Sequence, residues 1–271
     1  GVIHPNHLLI TEKPEQLDIV NIPYENLDHE LPSIDPLWVD NSHRDSLMAA
    51  SIEFMEPARV LIFHFSFVLK RYAEEFVGIQ ETRHLLEQME GSFPELVKEV
   101  QRLLPLQKIT EIFQRLVSED ISIRNLRTIL ESLVEWGQKE KDTVLLTEYV
   151  RGTLKRHISY KYSNGLNILP AYLLDQSIEE TIREGIRQTS SGAYLALEPS
   201  MTSSFTNKVK EEVGDLRHIA HKPVLVVSMD IRRYVRKLLE LDLYDMPILS
   251  YQELTPEINI QPIQRITLPS S

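Results

Sequence analysis

Three stretches of the chain repeat one pattern, and that pattern limits the fold. Ile109, Ile112, Phe113 and Leu116 fall at i, i+3, i+4 and i+7. Leu126, Ile129, Leu130 and Leu133 do the same, and so do Leu146, Tyr149, Val150, Thr153 and Leu154. That spacing puts each set on one face of an α-helix. A helix with a single apolar stripe has to bury it, so residues 79–157 predict a bundle of helices packed on one another. Ser122 is the expected N-cap of the helix through Leu133. Glu148 and Arg151 read as an outward-facing pair at salt-bridge spacing.

The flanking segments follow different rules. Before residue 41 the prolines Pro14, Pro23, Pro32 and Pro36 rule out long helices. Leu8-Leu9-Ile10-Thr11 and Leu37-Trp38-Val39 read as short strands. Asn41 or Ser42 is a candidate cap for a short helix to about Ala50. Glu56-Pro57 opens a helix with Val60, Phe63, His64, Phe67, Val68 and Arg71 at helical spacing. Its apolar face is wide, which predicts deep burial. After Asn164-Gly165, helices and strands alternate. Ile178, Ile182 and Ile186 make one helix face, and Ala193–Leu197 reads as a strand. Pro223-Val224-Leu225-Val226-Val227 is apolar throughout, as in a central strand covered on both sides. Asp230 is the expected cap of a helix with the stripe Ile231, Tyr234, Val235, Leu238 and Leu239. Ile248–Tyr251 closes a βαβ unit with a parallel strand pair. The fold class is therefore α+β with several subdomains, small α/β modules at both ends flanking an all-helical one.

Composition narrows the function. The 271 residues carry a net charge of −11, which disfavours phosphate backbones and anionic headgroups as partners. There is no cysteine, so disulfides, zinc–thiolate sites and thiol nucleophiles are absent. No apolar run is long enough to span a bilayer. No leader is recognisable, and Gly1-Val2-Ile3 reads as the boundary of a piece of a longer protein. None of the nine glycines forms a phosphate-cradling motif, and nucleophile-elbow and zinc-protease motifs are missing.

The remaining candidates are ambiguous one by one. His4-x-x-His7 and His218-x-x-His221 have a metal-compatible spacing but lack evident third ligands, so they read as loop histidines. His64 is either a partly buried structural residue or a general base awaiting a carboxylate. Arg124 and Arg127 at a helix start resemble a DNA-recognition helix, but Arg127 and Glu131 are i, i+4 partners. Arg232, Arg233, Arg236 and Lys237 lie among acids and read as a solvated face. Leu37 and Trp38, with Phe63 and Phe67, form either core or an apolar docking groove.

The segment Leu116-Val117-Ser118-Glu119-Asp120-Ile121-Ser122-Ile123-Arg124-Asn125-Leu126-Arg127, continuing to Leu133, and the segment Leu146–Arg151 resemble the FHIPEP family. That family is the large export-gate protein of type III secretion, and the likeness is to its cytoplasmic domain. Asp35–Asp40, Glu56–His64, Leu103-Leu104-Pro105-Leu106, Ser191–Pro199 and Pro247–Leu254 resemble further family segments in the same order. The Tyr194-Leu195-Ala196 segment is similar to the virulence branch more than to the flagellar one. The flagellar gate, with the equivalent role in flagellar export, is the alternative.

The resemblance implies four subdomains. Residues 1–7 and 57–76 would be a shortened first, 8–56 an inserted second, 77–156 a helical third and 157–271 an α/β fourth. It implies a platform, not an enzyme, with no cofactor and no metal. The expected partners are other copies of the chain in a homo-nonameric ring, chaperone–effector complexes, gatekeeper or switch proteins, and components of the export apparatus and ATPase stalk. Nucleic acid is not among them. The full-length protein would sit in the bacterial inner membrane with this domain, itself soluble, on the cytoplasmic side. The ring would use the helical subdomain, with Arg124, Arg127 and Glu131 as interface candidates. By position, the chaperone cleft would lie near His29, Pro32, Trp38, Phe63 and His64. Only Trp38 and His64 match in type. His29, Pro32 and Phe63 replace Asp, Phe and Thr of flagellar relatives, which implies a different partner motif.

Overall fold

The computed structural model describes residues 4–27, 36–189, 192–214 and 222–268. The chain divides into two compact units, 1–73 and 74–271.

The first unit is built on an antiparallel ribbon of β1 (His7–Ile10) and β2 (Leu37–Asp40), with Leu9 opposite Trp38. Side chains alternate across a strand, so the ribbon has two apolar faces. Leu8, Ile10, Leu37 and Val39 pack with Leu17 of α1 (Pro14–Ile19) and Leu47 of α2 (Arg44–Ala49). Leu9 and Trp38 turn the other way, toward Val60 of α3 (Pro57–Arg71). The cap before α2 is Asp40, whose carboxylate accepts from the Ser42 amide at 2.9 Å, with a 3-10 turn between. Neither Asn41 nor Ser42 takes that role. Pro57 does open α3 as expected.

Helix α3 departs from the expectation of deep burial. Val60 is its one buried residue, while Leu61, Ile62, Phe63, Phe65 and Leu69 are exposed. The ribbon meets only one side of a helix that is apolar nearly all round.

In the second unit the bundle forms as the stripes require. It comprises α4 (Ile79–Glu90), α5 (Pro94–Leu103), α6 (Leu106–Ser118), α7 (Leu126–Gly137), α8 (Thr143–Thr153) and α9 (Lys155–Tyr162). Ile109, Phe113, Leu116, Ile129, Leu130, Leu133, Leu146 and Val150 are all buried. The ring of Trp136 stacks on Tyr149 at 4.2 Å, joining α7 to α8. Ser122 does not cap α7. The cap position is Asn125, and the Ser122 hydroxyl accepts from the Arg124 amide at 3.3 Å.

Beyond the Gly165 turn lie β3 (Ile168–Leu174), α10 (Gln176–Gly185), the hairpin β4 (Ile186–Thr189) and β5 (Gly192–Leu195), α11 (Pro199–Val213), β6 (Val224–Val227), α12 (Met229–Leu239), β7 (Ile248–Ser250) and β8 (Asn259–Ile266). The main sheet is parallel with order β7-β6-β3-β8. Its strands alternate between two cores. Leu169, Ala171, Leu173, Val224, Val226 and Leu249 face the helical bundle. Tyr172, Leu174, Leu225, Val227 and Ile248 face α10, α11 and α12. This two-sided cover explains the unbroken apolar run at Val224–Val227. Two details differ from the sequence reading. Ile186 leaves the helix and starts β4, and the strand at 192–195 belongs to the hairpin, outside the main sheet. Helix α12 starts at Ser228, whose amide and hydroxyl both donate to Glu179, leaving Asp230 to pair with Arg183.

The largest correction concerns charge. Arg232 is not on a solvated face, and Glu148 and Arg151 do not point outward. Arg151 and Arg232 are each 1% exposed, Glu148 3% and Glu253 0%. Arg232 donates Nε to Glu148 at 2.6 Å and Nη2 to Glu119 at 3.0 Å. Arg151 donates Nη2 to Glu253 at 2.8 Å and Nη1 to Glu119 at 3.2 Å. The five side chains come from the α6–α7 loop, α8, α12 and the turn after β7. The network therefore ties the bundle to the α/β layers.

Burial works to raise the Glu119 carboxyl, but the adjacent Arg151 and Arg232 guanidiniums outweigh it and hold the pKa at about 2. A folded pKa below the unfolded value stabilises the fold above the unfolded pKa, and that stability is lost as pH falls toward the folded one. The contribution is on the order of 3 kcal/mol. Urea unfolding should therefore show wild-type stability falling between about pH 4.5 and 2. Glu119→Gln should cost roughly 3 kcal/mol at neutral pH and flatten that acid limb. Parallel pH profiles for the two proteins would contradict this account.

Candidate functional site

The first unit places the cleft residues on two elements. Trp38 is fixed in β2 by backbone bonds in both directions with Glu25, at 2.8 and 2.9 Å. Its ring packs among Leu9, Val60, Leu27 and Met55, with His4 edge-on at 4.7 Å. At 1% exposure it is interior. Among the described residues its buried indole N–H has no hydrogen-bond partner. Such an unpaired donor costs free energy that a carbonyl acceptor would recover.

Phe63 and His64 follow Val60 by three and four residues on α3. Phe63 is 36% exposed and His64 is half-buried. Phe63 thus belongs to the open apolar side of α3, while Trp38 belongs to the packed side. His29 and Pro32 lie outside the described residues, as do His218 and His221.

Among the described residues His64 has no hydrogen-bond or ion-pair partner, so none of them orients it as a base. Among the described residues no group of three or more His, Asp or Glu is placed to hold a metal ion. The exposed apolar side of α3 is what the sequence reading missed. The sequence signal was present in Val60-Leu61-Ile62-Phe63, which is apolar in every direction around a helix and was read as burial.

The ring candidates sit on the second unit. Arg127 pairs with Glu131 at 2.8 Å, as the spacing predicts, and both side chains are about half exposed. The Arg127 guanidinium also covers the Phe93 ring at 4.9 Å. Arg124 is exposed just before α7. Arg127 and Glu131 thus form an exposed ion pair on α7, with Arg124 in the loop before it.

No helix among the described residues is long and apolar enough to cross a membrane. The chain is 59% identical over 268 residues to the low calcium response locus protein D of Yersinia pestis, covering 99% of this chain and 38% of that protein. It spans well under half the length of that relative. It is similar to CdsV in a complex of CdsV and CdsO from Chlamydia pneumoniae, with 48% identity, TM-score 0.89, and 98% and 77% of the two chains covered. It is also similar to the nonameric EscV cytosolic domain of a type III secretion system, with 35% identity, TM-score 0.75, and 98% and 78% covered. The family model described as the FHIPEP family matches residues 1–259. With that match over nearly its whole length, and with relatives from the virulence branch, the chain belongs to the FHIPEP family.

Proposed function

We propose that this chain is the cytoplasmic platform of an inner-membrane export gate in a virulence-type secretion apparatus. In this reading it forms a homo-nonameric ring and docks chaperone–substrate and gatekeeper complexes for export. It also meets components of the export apparatus and its ATPase stalk. The four-subdomain division at residues 7, 56, 76 and 156 is part of the same reading. The observation that carries it is the family match over residues 1–259, joined to the likeness to a nonameric cytosolic domain. The complex of CdsV with CdsO supports partner docking on a domain of this shape.

Within the molecule, the open apolar side of α3 with Phe63 supports a docking role for the first unit. Other helices hide their stripes; α3 does not. An exposed apolar strip rimmed by polar residues is what a transient protein interface uses. On the packed side of that helix, Trp38 lies against Val60 with its buried indole N–H unpaired among the described residues.

Calorimetric titration of the protein with purified chaperone–effector complexes, free chaperone serving as control, tests docking. Saturable binding of the loaded complex is the expected result, and its absence from a folded protein overturns the docking role. Phe63→Ala should weaken binding about tenfold with little loss of stability, since Phe63 is exposed. Trp38→Ala is a poor probe because emptying that interior site costs about 3–5 kcal/mol. Trp38→Phe keeps the packing and removes the N–H. Wild-type affinity in both Phe63→Ala and Trp38→Phe would remove the cleft from the account.

For the ring, reversing charge in Arg124→Glu with Arg127→Glu should abolish self-association seen by analytical ultracentrifugation. An unchanged sedimentation profile would take these residues out of the subunit contact.

A further inference from the structure

Helix α9 and the turn after it differ from the rest of the surface. The chain has 40 acidic residues against 29 basic ones, yet no acid occurs between Glu148 and Asp175. That interval holds Arg151, Lys155, Arg156, His157 and Lys161. Arg151 is consumed by the buried network, and Lys161 pairs with Asp120 at 2.6 Å. Lys155, Arg156 and His157 remain exposed.

Several exposed helical cations in this protein pair with acids on the same helix, though among the described residues Arg83, Lys98 and Lys237 do not. Arg102 pairs with Glu99, Arg115 with Glu111, Arg127 with Glu131, and Lys208 with Glu211 and Glu212. Lys155 and Arg156 form no such pair among the described residues. Glu257 is close enough for both cations to lower its pKa, but the larger causes are its own backbone N–H and the Thr255 hydroxyl, which bond it.

The face also carries apolar surface. Tyr160 is 71% exposed and Leu166 56%. Arg156 and Tyr160 are one helical turn apart, so cation and ring lie side by side. Tyr160 is not loose. A Cβ on Gly165 would come within 3.0 Å of its ring, so the ring lies over the glycine of the turn. Gly165 has φ +75° and its amide donates to the Tyr160 carbonyl at 2.9 Å. The helix thus carries an exposed aromatic on the same face as Arg156, and the Gly165 turn is followed by the exposed Leu166.

We propose that this corner is a docking surface for an acidic amphipathic protein segment, one that sets carboxylates against Lys155 and Arg156 and apolar side chains against Tyr160 and Leu166. Charge complementarity selects that partner. Nucleic acid needs many cations along a phosphate lattice, and here two sit in a molecule of net charge −11. A peptide segment with a few carboxylates and an apolar stripe needs only the local field and the adjoining apolar area. The surface lies on the second unit, whereas Phe63 and Trp38 lie on the first.

Fluorescence anisotropy with the whole chain tests this. The probe is a labelled peptide of about 18 residues with Leu and Glu at helical spacing. A version with Gln for Glu, a single-stranded oligonucleotide and phosphatidylserine vesicles are the comparisons. Saturable binding of the Glu peptide is expected, lost with the Gln version. Lys155→Glu with Arg156→Glu should weaken it about tenfold, and Tyr160→Ala several-fold. Circular dichroism should be unchanged, since these side chains are exposed. Phe63→Ala should bind the peptide as wild type does, which separates this test from that of the chaperone cleft. Equal affinity in wild type and the charge-reversed variant overturns the proposal. So does equally tight, equally sensitive binding of oligonucleotide or vesicles. A charge reversal that dissociates self-assembled chain while leaving peptide affinity intact would reassign the face to a second copy.

Discussion

A guanidinium removed from water must have all of its donors met, or it costs more than it contributes. At Arg232 they are met. Nε reaches Glu148, Nη1 reaches Glu119 and the Ile248 carbonyl, and Nη2 reaches Glu119 and Glu148. Arg151 takes Glu253 on two donors and shares Glu119. The Glu253 carboxylate also accepts from the amide and hydroxyl of Ser250, at the end of β7. None of these contacts can form unless the α6–α7 loop, α8, α12 and β7 are all in place. The network therefore selects one arrangement of bundle and sheet among the many that apolar burial alone would tolerate. The two cores that share the parallel sheet supply the bulk of the stabilisation. The ionic network supplies the register.

This rigidity suits a platform. Arg124 lies in the loop that carries Glu119, while Arg127 and Glu131 on α7 and Arg156 and Tyr160 on α9 belong to helices whose buried faces share one core with α8. Surface charges on fixed helices define an interface geometry better than charges on loops do. The first unit is different in kind. Its small ribbon covers one side of α3 and leaves Phe63 and its neighbours open. Trp38 is interior with an unpaired donor among the described residues, beside a helix whose other side is exposed and apolar.

Most of the fold was legible in the sequence, because helical stripes and apolar strands report burial directly. Ile109–Leu116, Leu126–Leu133 and Val224–Val227 behave as their periodicity requires. The misreadings of charge have one cause. Arg232, Glu148 and Arg151 were assigned to solvent because charge is expensive to bury, and periodicity carries no information about a partner that is distant in sequence. Glu253 is 102 residues from Arg151, and Glu119 is 113 from Arg232. Four of the five network residues, Glu119, Glu148, Arg151 and Glu253, lie in segments that resemble the family. Those segments had shown no chemistry of their own; their charged residues instead hold the architecture. At the candidate cleft, Trp38 was legible as an apolar strand residue, but its burial was not, because that depends on His4, Met55 and Val60. The open side of α3 was illegible for the converse reason. An all-round apolar helix predicts burial, and sequence does not say how many sides the fold supplies.

Hydrogen exchange read residue by residue tests the joining of bundle and sheet most directly. The amides of α6 at Ile109–Leu116 and those of β6 at Val224–Val227 should share one opening free energy. In Glu119→Gln both sets should fall together, by the same amount. If the β6 amides lose protection while the α6 amides keep theirs, the bundle and the α/β layers are separate cooperative bodies. The network would then be a local contact that does not set the fold.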